Sequence, residues 1–232
     1  MERAPWAVAP LFGLSLAIVV TLVGPLLLFN PLLTSALQTR HGVAGAFDTS
    51  QAEIERVTSA FLADIYLAGP FDASLDGEEP LLDADERSHM TDVSRLVRLL
   101  AGIAVVALVV AAVAGTWLRR EPHRQGRIML IAAGGVGAVA LLLAGVFAVA
   151  FEPAFLAFHA LFFPPGTYLF EEGSELIVLF PEPFWFDAAL IAGATIIVVA
   201  LVVTVIGLRR WRRSPAAASG TSSSDSTTTG GS

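Results

Sequence analysis

The chain has 232 residues, of which 55% are hydrophobic and 15% charged, and its mean hydropathy of +0.70 argues against a water-soluble globule. Fourteen arginines, no lysine and twenty-one acids give a net charge of −7, without the basic footprint of a nucleic-acid partner. The absence of cysteine excludes a disulfide framework, thiolate metal or iron–sulfur ligation, a thioester intermediate and lipid attachment on this chain.

A hydrocarbon core of about 30 Å takes about 20 residues of helix. Four uncharged runs reach that length: 8–29, 99–118, 128–151 and 188–208. The first contains Pro10 and Pro25, which spanning helices tolerate better than soluble ones. It exceeds a secretory signal core of about 7 to 15 residues and lacks a small-x-small cleavage pattern, so an uncleaved anchor is expected.

Residues 30–98 follow, with twelve acids and five arginines. Ser50-Gln51-Ala52-Glu53 has the capping-box pattern that opens a helix. Ile54, Val57, Phe61 and Ile65 then recur at three- and four-residue steps, with Glu53, Glu55, Arg56 and Asp64 off that stripe. Such a helix lies on the membrane or, the simpler expectation, packs against the bundle. The Gly-, Pro- and Asp-rich stretch 69–85 reads as an exposed loop.

From Asp85 the pattern is helical again and leads into the second span. Glu86, His89 and Asp92 step by three along one side, while Met90, Val93, Val97 and Leu100 make an apolar side. His89 thus has a carboxylate within one turn in either direction, and such a neighbour can fix an imidazole tautomer and raise its basicity for general-base work. The same residues also suit a solvated, charged start to a helix.

Arg119, Arg120, Arg124 and Arg127, with Glu121 as the one acid, separate the second and third runs. Ala133 and Gly137 give the third a small-xxx-small spacing suited to close helix packing. Beyond it, Phe151, Phe155, Phe158 and Phe162 recur at helical spacing. This segment, 151–163, is too short to span, and Glu152-Pro153 separates it from the third run, so an interfacial or re-entrant helix is expected. It carries His159, and an ionisable residue in apolar surroundings is costly unless paired, which makes it a functional candidate. The plain alternative is an imidazole satisfied by one backbone carbonyl. Pro164-Pro165-Gly166 ends the helix, Glu171, Glu172 and Glu175 follow, and Tyr168 and Trp185 suit an interfacial belt. His41 and His123 lack comparable settings.

Arg209, Arg210, Arg212 and Arg213 follow the fourth run, whereas residues 152–187 contain no Lys or Arg. Cytoplasmic loops retain positive charge, so both termini are expected in the cytoplasm and the two acidic loops outside. Residues 214–232 are Ser, Thr, Gly, Ala and Pro with one acid, the composition of a disordered tail. The expected architecture is all-α: a polytopic membrane protein with one domain, 1–213, of four transmembrane helices and interfacial helical segments in two extracytoplasmic loops.

Two stretches carry a family resemblance. Glu86-Arg87-Ser88-His89-Met90-Thr91-Asp92-Val93 and Phe158-His159-Ala160-Leu161-Phe162-Phe163, the latter followed by Leu176-Ile177-Val178-Leu179-Phe180-Pro181-Glu182-Pro183-Phe184-Trp185, resemble the small integral membrane proteins that include lipoprotein intramolecular transacylase, Lit. The likeness covers roughly residues 8–208. It implies a four-span protein of the cytoplasmic membrane acting on diacylglyceryl lipoproteins and membrane lipid at the outer face. The implied reaction moves the sn-2 acyl chain to the α-amine of the N-terminal cysteine, with His89 and His159 at the family's catalytic positions. Tyr168 stands where family members often carry Trp, and Glu171, Glu172 and Glu175 where they carry an Asp-rich turn.

This chemistry needs a base for the amine and stabilisation of a tetrahedral oxyanion. The expected base is His159, with His89, oriented by Glu86 or Asp92, stabilising charge or relaying the proton; the two roles could be exchanged. Phe155, Phe158, Phe162 and Phe163 are the expected substrate-binding wall, and neither cofactor nor metal is required. Competing readings are a non-catalytic envelope protein that binds lipid or a protein partner and, less favoured because no His-x-x-x-His motif occurs, a metal site.

Overall fold

A computed structural model describes residues 5–75, 77 and 79–213; the tail expected from 214 onward lies outside the described residues. Those residues form nine helices and no strand. Four helices are long and apolar enough to cross a membrane: α1 (Val8–Leu27), α5 (Ala84–Leu118), α6 (Pro122–Val149) and α9 (Glu182–Trp211). Between them run α2 (Pro31–Arg40), α3 (Val43–Ala46), α4 (Gln51–Leu67), α7 (Phe151–Phe162) and α8 (Glu175–Leu179).

The bundle is held by small side chains. Gly126, Ala133 and Ala140 are buried along α6, and Ala188, Ala192, Ala200 and Gly207 along α9. A Cβ on Gly126 would collide with the Trp211 backbone and the Gly207 carbonyl, so these helices meet almost backbone to backbone. One on Gly137 would sit 3.4 Å from the Ala200 methyl. Within lipid there is no hydrophobic force to press helices together, and close packing of small residues supplies the attraction instead. On α5, Ala111, Ala114 and Leu118 receive Phe12 of α1 and Met129 of α6.

A second layer, built from larger side chains, covers one end of the bundle. Ile54, Val57, Phe61 and Ile65 of α4 are all at most 2% exposed and cluster with Phe71, Leu82, Met90, Val97, Leu176 and Leu179. The stripe therefore faces protein, the simpler of the two expectations. Gln38 of α2 lies buried inside and donates to Thr58 Oγ1 at 3.0 Å and to the Leu179 carbonyl at 3.2 Å. Ser94 of α5 donates to the Ile65 carbonyl at 2.7 Å.

The first half of α5 belongs to this layer. The helix has 35 residues and is about 50 Å long, so the uncharged run 99–118 is its second half. It begins early because Asp83 and Glu86 form a full capping box: the Glu86 amide donates to Asp83 Oδ1 at 2.8 Å and the Asp83 amide to Glu86 Oε2 at 2.9 Å. After α6 the chain bends at Ala150 (φ −142°, ψ 52°) into α7, which has no buried residue.

Candidate active site

His89 lies in the second turn of α5 and is 6% exposed. Its helix is fixed against the downstream loop by Glu86, fully buried one turn earlier, whose Oε1 accepts from the Leu176 amide of α8 at 2.9 Å. Glu86 thus joins the start of α5 to the segment that follows α7. Both its oxygens are engaged by backbone amides.

His159 comes from α7. Its Nδ1 lies 2.8 Å from the Phe155 carbonyl, and a carbonyl can only accept, so Nδ1 carries the proton. In the neutral ring Nε2 is then left with the lone pair. Burial pushes the His159 pKa below the usual imidazole value, opposed by the Phe155 carbonyl, which favours the charged form.

The two rings meet, stacked with centroids 6.0 Å apart and 27° between planes. Phe163 touches both, 4.9 Å from His89 and 5.5 Å from His159. Around His159 stand Phe155 at 4.2 Å, Tyr168 at 5.4 Å and Phe158 at 5.5 Å. Phe170 lies 5.6 Å from His89. Phe162 packs on Phe158 at 4.9 Å and extends the wall away from the imidazoles. Within this enclosure His89 Nδ1 is buried without a hydrogen-bond partner among the described residues.

The carboxylates expected to orient His89 take other hydrogen-bond partners, while the charge of Asp92 still acts on the ring. Glu86 accepts from the two amides already named, and Asp92 pairs with Arg95 at 2.6 Å. Three-residue spacing places both on the same side as His89, but the capping box and the loop take the first, and the next turn of the helix takes the second. Tyr168, read in sequence as an interfacial aromatic standing where the family often has Trp, and Phe170, one of the Phe residues of the same belt, complete the enclosure. Their signal was Tyr-Leu-Phe one residue after the Pro-Pro-Gly break, alternation that turns both rings to one side. The remaining histidines lie elsewhere: His41 Nε2 is 2.9 Å from Asp187 Oδ2, which also accepts from Arg40, and His123 Nδ1 is 2.9 Å from the Trp211 carbonyl. Among the described residues, no group of three or more His, Asp or Glu could hold a metal ion.

The family model of lipoprotein intramolecular transacylase Lit matches residues 6–185. The chain belongs to the Lit family. Membership makes it a transacylase-like enzyme. Its fold is that of the membrane-integral Lit from Bacillus cereus, solved in meso, with a TM-score of 0.76 at 18% identity over 88% of this chain and 94% of that one. Two variants of the Bacillus cereus protein, with one histidine replaced by arginine or by alanine, match at TM-score 0.71 and 16% identity. They cover 90% and 91% of their own chains and 88% of this one. No curated protein sequence matches the chain. With four apolar helices in that fold, this Lit-family chain is a multi-pass membrane protein.

Proposed function

We propose that this protein moves an acyl chain, within one lipoprotein molecule, from the diacylglyceryl group on the N-terminal cysteine to that residue's α-amine. His89 and His159 are its catalytic pair. One observation carries the reading: two imidazoles from different helices stack 6.0 Å apart inside an aromatic enclosure, in a chain of the Lit family.

The α-amine, whose ordinary pKa is about 8, attacks the ester carbonyl, and an N–C bond forms as negative charge gathers on the carbonyl oxygen. His159 Nε2, its tautomer fixed by the Phe155 carbonyl, takes the amine proton. His89, whose Nδ1 has no hydrogen-bond partner among the described residues, hydrogen-bonds the oxyanion and delivers a proton to the glyceryl oxygen as the ester C–O bond breaks, and the proton held on His159 then passes to His89 across the stack. One proton thus passes in net from nitrogen to oxygen, and both imidazoles return to their starting protonation states. No acyl-enzyme is needed, since donor and acceptor sit on the same molecule. Phe155, Phe158, Phe162 and Phe163 form the wall for the acyl chain; Phe158 and Phe162 are exposed, as groups facing lipid would be.

The charge pattern supports a topology with both termini and the 119–127 arginines in the cytoplasm and the histidine pair outside, within one four-span domain, 1–213. Reporter fusions at Gly77 and at the C-terminus test it; an extracytoplasmic C-terminus would overturn it.

The reaction is tested by co-expressing the protein with a lipoprotein in a host lacking other N-acylation and fragmenting the N-terminal lipopeptide. Intact mass is uninformative because transfer within one molecule leaves it unchanged. An N-acylated, S-monoacylglyceryl peptide that disappears with His159→Ala is the expected result. An unchanged diacylglyceryl peptide from well-expressed protein would contradict it and favour lipid or partner binding without catalysis.

A further inference from the structure

A groove of about 470 Å³ lies between α1 and α5, lined by Ser15 and Ile18 on one side and by Leu99, Ile103, Val106 and Val110 on the other. Its walls are almost wholly apolar. Gly102 forms part of its floor, and a Cβ there would meet nothing within 4 Å, so the space is open where a side chain would close it. At one end stands Arg98.

Arg98, Gly102, Val106 and Val110 follow each other by four residues and so line one stripe of α5. From Arg98 to Val110 the helix rises about 18 Å, close to the depth of one leaflet, which is about 15 Å of hydrocarbon. The charge therefore sits at the level where a lipid carries its headgroup, and the groove runs where its chain would lie. Of the other arginines in residues 30–98, Arg40, Arg56 and Arg95 each pair with a carboxylate, and Arg87 lines a separate pocket among Glu79, Asp83 and Glu175. Arg98 is exposed and, among the described residues, donates only a 3.4 Å bond to the Ser94 carbonyl in its own helix, which leaves most of its guanidinium donors for an outside acceptor.

We propose that this groove binds one anionic phospholipid, its phosphate on Arg98 and one acyl chain along Gly102. A guanidinium presents paired donors that match a phosphate, whereas the diacylglyceryl group of a lipoprotein carries no anion. Position also separates this lipid from the reacting chain. His89 and Arg98 are nine residues apart, about two and a half turns, so the groove lies on the face of α5 turned away from the histidine pair. The site does not depend on the catalytic reading.

The test titrates the full chain in detergent with phosphatidylglycerol, phosphatidylcholine or diacylglycerol and counts bound lipid by native mass spectrometry. One arginine at an anionic headgroup predicts about a fivefold preference for phosphatidylglycerol over phosphatidylcholine. Arg98→Ala brings that ratio to one. Gly102→Leu, whose side chain enters open space, reduces retention of both phospholipids. A preference unchanged by Arg98→Ala, or no retained lipid in the unmodified protein, overturns the proposal. So does diacylglycerol competing as well as phosphatidylglycerol, which would give the groove to an uncharged acyl donor.

Discussion

The two histidines stand on supports of opposite character. His89 belongs to a helix locked at its start by a reciprocal capping box, tied through buried Glu86 to α8 and through Ser94 to α4, with Met90 and Val97 sunk into the covering layer. His159 belongs to a helix with no buried residue. At its flank that helix meets α9 through ring contacts, Phe155 to Trp185 at 6.1 Å and Phe151 to Phe186 at 5.5 Å. On the proposed function, one half of the site is built for fixed geometry and the other for contact with lipid. Segments with few buried contacts open at low free-energy cost, and a site that admits a two-chain substrate from the bilayer needs such a side.

Substitutions that separate chemistry from support test this contrast. The largest effect falls on the imidazoles: His159→Ala lowers kcat by a factor of about 10²–10⁴ while the thermal midpoint in detergent stays put. A lowered midpoint of the same variant would mean that α7 carries stability and that the contrast is wrong. Next comes packing. Phe61→Ala, in the covering layer, costs about 3–5 kcal/mol, whereas Phe158→Ala on α7 changes stability by less than about 0.5 kcal/mol and raises KM instead; equal destabilisation of the two would erase the difference between the regions.

Glu86→Ala strands the buried amide of Leu176, at about 1–3 kcal/mol, and removes the part-buried half of the capping box at Asp83. The loop over His89 should loosen, with faster hydrogen exchange at residues 167–176 and not within α9. The smallest effect is on pH. The His159 pKa is lowered by burial, so the free base survives below the ordinary imidazole value of about 6.5 and is lost only as pH falls through the lowered value. Followed by NMR, so that the limb of the substrate amine at about 8 does not enter, the His159 imidazole should titrate below about 6.5, and a midpoint above about 7 would exclude the buried, lowered base described here.

Much of this was legible because membranes and helices impose local rules. The four spans are continuous uncharged runs, and the α4 stripe is a simple periodicity whose buried side is the one read from sequence. His89 and His159 stood out as ionisable groups beside apolar helical faces. What sequence could not supply was pairing at a distance. Glu86 looked like a partner for His89 because helical spacing made it a neighbour, yet its acceptors go to its own helix cap and to Leu176, ninety residues on. The Asp83–Glu86 box was written in the sequence in the same pattern as the one noted at Ser50. At Ser50 only half of the pattern forms, the Glu53 amide donating to the Ser50 hydroxyl.

The central claim is that the two imidazoles work as a unit. A double-mutant cycle of His89→Ala and His159→Ala on the rate of acyl transfer, in purified protein with a synthetic diacylated lipopeptide, tests it most directly. Groups that act together lose nearly all their effect when either is removed, so the double variant should be little slower than the slower single one. Losses that multiply, the double variant falling by the product of the two single factors, would show two independent residues and contradict the account.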